Sequence, residues 1–162
     1  MVSNVSELTI REATLQDEGD LLRMMRLIDK QAPALIKFDE TALGVALRQF
    51  LGLPAFGRVW LLCEGSKTVG YVVLTVGFSF EFRGHDAFID ELYIDAAYRR
   101  RGYGRRALAF AEEKAREMGV NAVHLEVDRG NDPALELYRR TGYLDHHRFL
   151  MTKWLRGGNN SV

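Results

Sequence analysis

A single cysteine, three prolines and a formal net charge of zero leave this chain without most of the usual global signals. Cys63 has no second cysteine to pair with, so an internal disulfide is excluded and a reducing compartment is expected. With 22 basic and 22 acidic residues there is no overall field that would draw the chain to nucleic acid or to a membrane surface. No apolar run approaches the ~20 residues of a spanning helix, and the N-terminus is too polar for a secretory leader. A cytoplasmic location with no membrane partner is the expectation. The four histidines (85, 124, 146 and 147) show no metal-ligand spacing, and His146-His147 is too close to chelate from one strand face, so no metal is assigned. Neither a P-loop lysine motif nor a Ser-His-Asp elbow is present.

What is present is a soluble-domain composition of 47% hydrophobic and 27% charged residues over 162 positions, enough for one core. Periodicity predicts a strand at Leu8 to Glu12 and a helix at Asp17 to Ala32, capped by Thr14 or Asp17. A second helix fits Thr41 to Leu51, begun by Asp39 or Thr41. Strands follow at Val59 to Cys63, Val69 to Val76 (with Phe78 to Arg83 as its extension) and Ala87 to Ile94, joined by turns at 64–67 and 84–86. Next come a helix at Arg105 to Met118 closed by Gly119 and a strand at Ala122 to Val127. A helix capped by Asp132 with Pro133 at its first position runs to Arg140, and one or two strands fall within Tyr143 to Leu155. This order is an α+β chain on a mixed sheet, read as one domain over 1–156 with a disordered tail at 157–162.

Arg99-Arg100-Arg101-Gly102-Tyr103-Gly104, between a strand and a helix, is the most informative stretch. Glycines let backbone N–H groups approach an anion, and a helix N-terminus supplies free donors and a favourable dipole. Arg105 and Arg106 extend the positive cluster, so a phosphate-bearing ligand is indicated. A plain strand-to-helix turn with solvated arginines is the bland alternative. Gly102 to Ala107 also matches G-x-G-x-x-A with Glu126 about 20 residues on, the pattern of a dinucleotide site. Against that stand the seven residues between Ile94 and Gly102 and the shortness of the chain that follows. Nucleic-acid binding through the arginines would need a broader basic face.

The whole segment resembles the acyl-CoA signature of the GNAT acetyltransferase superfamily. Arg99, Gly102 and Gly104 match R/Q-x-x-G-x-G/A after Glu91-Leu92-Tyr93-Ile94-Asp95. Asn131-Asp132-Pro133-Ala134 with Leu137-Tyr138-Arg139-Arg140-Thr141-Gly142-Tyr143 resembles that family's second motif. Phe78 to Asp95 and Asn131 to Gly142 further resemble its small-amine branch, which includes the polyamine acetyltransferases.

The resemblance implies a GNAT-like fold: a central mixed, mostly antiparallel twisted sheet with about four helices. It implies acetyl-CoA as donor and direct attack of a primary amine, small or peptide-borne, on the thioester. The pyrophosphate would lie on the N–H groups of Arg101, Gly102, Tyr103, Gly104, Arg105 and Arg106, with Arg99 and Arg100 adding charge. The pantetheine arm would pair with Leu92, Tyr93 and Ile94, and Asn131 would touch the arm. Glu91 is the candidate acceptor of the amine proton, with Asp90 as the competing carboxylate; alternation places them on opposite strand faces. Tyr138 is the candidate acid for the departing thiolate and a further contact to the cofactor. Core packing for Tyr138, a salt-bridged surface role for Glu91 and a turn role for Asn131 stay open. Six phenylalanines (38, 50, 56, 78, 80, 82) are either an acceptor wall or core. Asp86, Asp90, Glu91, Asp95, Glu126 and Asp128 would favour a cationic amine. A homodimer through the C-terminal strands is an expectation from relatives, and a non-catalytic CoA-binding sensor is the alternative in a different class.

Overall fold

The computed structural model describes residues 7–31 and 37–155; the expected tail at 157–162 lies outside them. Strand β1 (Leu8–Glu12) leads through a 3-10 turn (Leu15–Asp17) into α1 (Glu18–Gln31), followed by α2 (Glu40–Leu51). Asp39, one of the two expected caps, caps α2 by accepting from the Ala42 N–H, and the helix begins at Glu40, one residue before the expected Thr41. Ion pairs Arg26–Glu40 and Arg48–Glu18 tie the two helices together. Strands β2 (Gly57–Glu64), β3 (Lys67–Ser79) and β4 (Gly84–Ile94) form the predicted antiparallel run. Helix α3 (Tyr103–Glu117) then crosses to β5 (Ala122–Leu125), and α4 (Asp132–Arg140) closes the ordered elements. The sheet has the order β1-β2-β3-β4-β5, antiparallel except for the parallel β4–β5 pair.

Each face of the sheet buries its own core, because alternate residues of one strand point to opposite sides. Trp60, Leu62, Val72, Leu74, Ala87 and Ile89 pack against Leu108 and Ala111 of α3. Val59, Leu61, Tyr71, Val73 and Tyr93 pack against Leu21, Met24 and Met25 of α1 and Leu47 of α2.

The strand expected within Tyr143 to Leu155 is not formed; the described residues after α4 carry neither strand nor helix. The Asp145 carboxylate accepts from the His147 N–H at 2.8 Å and His147 has a φ of 53°, so the chain turns there instead of extending. Arg148 then pairs bidentately with Glu81 in the β3–β4 turn. Leu144, Phe149, Leu150, Met151 and Leu155 are exposed, so the apolar content that suggested strands is not spent on a core. The cap of α4 is also shifted. Asn131, not Asp132, accepts from the Ala134 N–H, because Asp132 is already the first helical residue.

At the other end, Asp17 accepts from the Thr14 N–H and from both terminal nitrogens of Arg11, the latter at 2.9 and 2.6 Å. The Arg11 hydrogen bond, with the Thr14 donors, brings its carboxyl down to about 2. A depressed folded value means stability that is present above the unfolded carboxylate range and lost as pH falls towards 2. Asp17→Asn is therefore expected to cost about 1 kcal/mol at pH 7 and to match the wild type near pH 2, as read from urea midpoints across that range.

Candidate functional site: a bulged strand beside a helix N-terminus

Strand β4 contains one residue more than its partner requires. Val73 faces Glu91 and Leu74 faces Ile89, so Asp90 is the extra residue of a β-bulge. A bulge reverses the parity of everything after it. Ala87 and Ile89 lie on the α3 face, and two residues on, Glu91 would join them under strict alternation. Instead Leu92 and Ile94 pack on that face, while Tyr93 joins the α1/α2 core and Glu91 meets Tyr71 there. Simple alternation therefore does not assign a face to Asp90, which is exposed.

The bulge also ends the pairing with β5. The parallel ladder runs from Asp86↔Ala122 to Ile89↔Leu125 and stops at the residue before Asp90. From Asp90 to Ile94, β4 has no described strand partner on its β5 side. Leu92, Tyr93 and Ile94 thus lie beyond the end of the β5 pairing. Partial desolvation raises both carboxyls there, and Asp90's charge raises Glu91 further, while a hydrogen bond from Tyr71 lowers it.

The arginine-glycine loop starts immediately after β4. A 3-10 turn (Ala96–Tyr98), capped by the Asp95 side chain on the Ala97 N–H, fills most of the interval to Gly102. Arg100 is left-handed with a φ of 64°, and Gly102 follows at 80° as the residue that starts α3. A side chain at position 102 would meet open space but carry the left-handed penalty, which glycine avoids. No side chain caps α3, and its ladder opens with Arg106 N–H to Gly102 C=O. The N–H groups of Tyr103, Gly104 and Arg105 belong to its uncapped first turn. Gly104 lies opposite Leu137 of α4.

The arginines divide into two groups. Arg99 donates to the Ile94 carbonyl at 2.9 Å and to Gln31 of α1 at 2.8 Å. Arg101 lies over the Tyr98 ring and pairs with Glu64 at 3.3 Å. Arg106 donates to the Leu8 carbonyl at 2.9 Å. Arg100 and Arg105 make no side-chain hydrogen bond or ion pair among the described residues, so these two remain available to an anion. Tyr103 is a buried anchor whose hydroxyl donates to Glu64 at 3.0 Å. What it offers a ligand is its main chain.

Tyr138 is half-buried on α4, edge-on to Tyr143 with ring centroids 5.9 Å apart, and desolvation raises its phenol. Its hydroxyl has no hydrogen-bond partner among the described residues. It is therefore a protonated phenol at neutral pH with its proton uncommitted. Asn131 uses its oxygen as the α4 cap, which leaves its amide N–H₂ as the donor.

The phenylalanines do not form one wall. Phe38 and Phe50 edge the α1/α2 core, whereas Phe78, Phe80 and Phe82 sit at the β3–β4 hairpin end. Asp86 is paired with His124 at 3.4 Å. Nothing in the sequence marks Tyr71; a tyrosine inside an apolar strand reads only as core. A cavity of about 490 Å³ lies along β5 and residues 141–144, lined by His124, Thr141, Tyr143 and Leu144, away from the glycine loop.

The profile of the Acetyltransferase (GNAT) family matches residues 21–143, spanning both helices of the α1/α2 layer, the bulged strand, the glycine loop and α4. The chain belongs to the GNAT acetyltransferase family. It is 28% identical over 152 residues to a thialysine N-epsilon-acetyltransferase of Sus scrofa, covering 87% of this chain and 86% of that protein. An integron cassette protein from a salt-marsh metagenome superposes with a TM-score of 0.80 at 31% identity, over 91% of each chain. A possible acetyltransferase from Clostridium difficile 630 shares the fold at a TM-score of 0.77 and 19% identity, over 91% of this chain and 96% of that one.

As a GNAT enzyme, the chain is an acyl-CoA-dependent N-acetyltransferase. The residues present fit an acyl-CoA: an uncapped helix start preceded by a left-handed glycine, two uncommitted arginines, and a strand edge opened by the bulge. Gly102→Ala is expected to destabilise the fold by about 1–2 kcal/mol, from the left-handed backbone alone. It should also weaken CoA binding, because relaxing φ moves the N–H groups; calorimetric titration with CoA checks this.

Proposed function

We propose that the protein transfers an acetyl group from acetyl-CoA to the primary amine of a cationic acceptor, a small molecule or a lysine-like peptide side chain. The observation that carries this reading is Glu91: a half-buried carboxylate, turned by the bulge onto the α1/α2 face of a strand that has no described β5 partner from Asp90 onward. The relative of Sus scrofa named as acting on thialysine supports an amine borne on a lysine-like chain. Asp90 beside Glu91 adds negative charge that favours a cationic substrate.

Acetyl-CoA, when bound, supplies the activated thioester acyl group. The N–H groups of Tyr103, Gly104 and Arg105 and the side chains of Arg100 and Arg105 would hold its phosphates, Arg99 serving as a brace from the loop to Ile94 and Gln31. The main chain of Leu92, Tyr93 and Ile94 would take the extended arm as an added strand, with the Asn131 amide as a further donor. Glu91 accepts the proton that the ammonium must lose to become a nucleophile. A main-chain N–H on the Leu92 to Ile94 stretch would donate to the developing oxyanion. Tyr138, kept protonated by burial, donates to the leaving sulfur. Exposed apolar residues from Leu144 to Leu155 also suit the expected homodimer, with a second copy covering them.

Turnover of a panel of diamines, lysine analogues and aryl amines, followed by thiol release, tests the acceptor class; aryl amines outperforming every cationic amine would overturn it. Glu91→Gln and Tyr138→Phe are each expected to lower kcat by about 10²–10⁴-fold with CoA binding retained. Because burial raises the Glu91 carboxyl and it works ionised, kcat/KM should fall on the acid side at a midpoint above the ordinary glutamate range. CoA binding without turnover of any amine would favour the sensor alternative.

A further inference from the structure

The bulge that carries Glu91 across the sheet delivers it to a phenol on the neighbouring strand. Tyr71 and Val73 lie on the same face of β3, and Val73 is directly opposite Glu91. The Tyr71 side chain is completely buried, its ring tilted against Tyr93 at 6.1 Å. Its hydroxyl donates to Oε2 of Glu91 at 2.7 Å. Oε1 makes no hydrogen bond among the described residues.

We propose that Tyr71 is a positioning residue for Glu91, clamping one carboxylate oxygen so that the other is aimed at the amine proton. The proposal rests on the reading of Glu91 as proton acceptor. Three observations favour it over simple satisfaction of a buried hydroxyl. The phenol is fixed in χ by a packed core, so it holds its partner in one place. Its acceptor is a charged group on the bulged segment, the part of β4 with no β5 partner to hold it. And a donor to the ionised form opposes the desolvation and the Asp90 charge that otherwise favour protonation of Glu91. The titratable and charged groups around this pair are Asp90 and Tyr93 on β4, with Asp95, Arg99 and, from α1, Arg23 acting on Tyr93. Tyr71 itself stays protonated, since burial and the Glu91 charge both push its phenol well above the usual range.

Tyr71→Phe removes the donor and keeps the ring. The expected result is a kcat lowered about 10- to 100-fold, with the acid limb of kcat/KM moved up by about one pH unit. The dissociation constant for acetyl-CoA should be unchanged. If the variant does not fold, a fluorinated tyrosine at position 71, a stronger donor of similar shape, should move the limb down instead. Glu91→Gln is measured alongside. Full activity in Glu91→Gln overturns both the proton-acceptor reading and this one. Loss of activity in Glu91→Gln, with kcat and acid limb unchanged in Tyr71→Phe, overturns the positioning role alone. A Tyr71→Phe variant that loses melting temperature and CoA affinity, with an unmoved limb, marks Tyr71 as merely structural.

Discussion

The extra residue at position 90 is the constraint from which the site follows. Without it, Glu91 and Tyr93 would continue the α3 face begun by Ala87 and Ile89, and β4 could stay paired with β5. With it, Glu91 is moved to the α1/α2 face, Leu92 and Ile94 take over the packing against α3, and the parallel ladder ends. One backbone irregularity therefore produces a carboxylate on one side and an unpaired main-chain edge on the other. A bulge costs ladder hydrogen bonds; here the long β3–β4 pairing on both sides of it and two packed cores fix its position.

The second element is the start of α3. It is held from below by Tyr103 on Glu64 and by Arg106 on the Leu8 carbonyl, so its first turn has a fixed place relative to β1 and β2. Arg99 braces the loop against Ile94 and Gln31, joining the end of β4 to the end of α1. A run of arginines that reads as one charge cluster is thus divided: Arg99, Arg101 and Arg106 are committed to protein acceptors, and Arg100 and Arg105 are exposed with no such partner among the described residues. Arg100 in a left-handed conformation is the strained residue of the turn, a common mark of backbone shaped for a ligand.

Much of this was readable from local rules. Helix periods placed α1, α2 and α3 to within a residue or two, alternation with turn residues placed the β2–β3–β4 run, and the glycine signature pointed to the GNAT family. What was not readable depends on partners far away in sequence. The bulge is a mismatch between β3 and β4, invisible in β4 alone. Tyr71 acquires its meaning only from Glu91, 20 residues on. The strand assignment for Tyr143 to Leu155 failed because apolar content cannot make a strand without an edge to pair with, and the Asp145–His147 turn bends the chain aside. Asn131 and Asp132 are both good cap residues, and only the helix phase chooses between them.

Amide hydrogen exchange, with and without acetyl-CoA, tests the central claim most directly. If the bulge leaves β4 open and α3 uncapped, Leu92 to Ile94 and Tyr103 to Arg105 include amides that exchange quickly in the free protein. Those amides should become the most strongly protected on adding acetyl-CoA. Amides there that are already as slow as the β2–β3 ladder in the free protein, or unchanged by acetyl-CoA, would contradict the account.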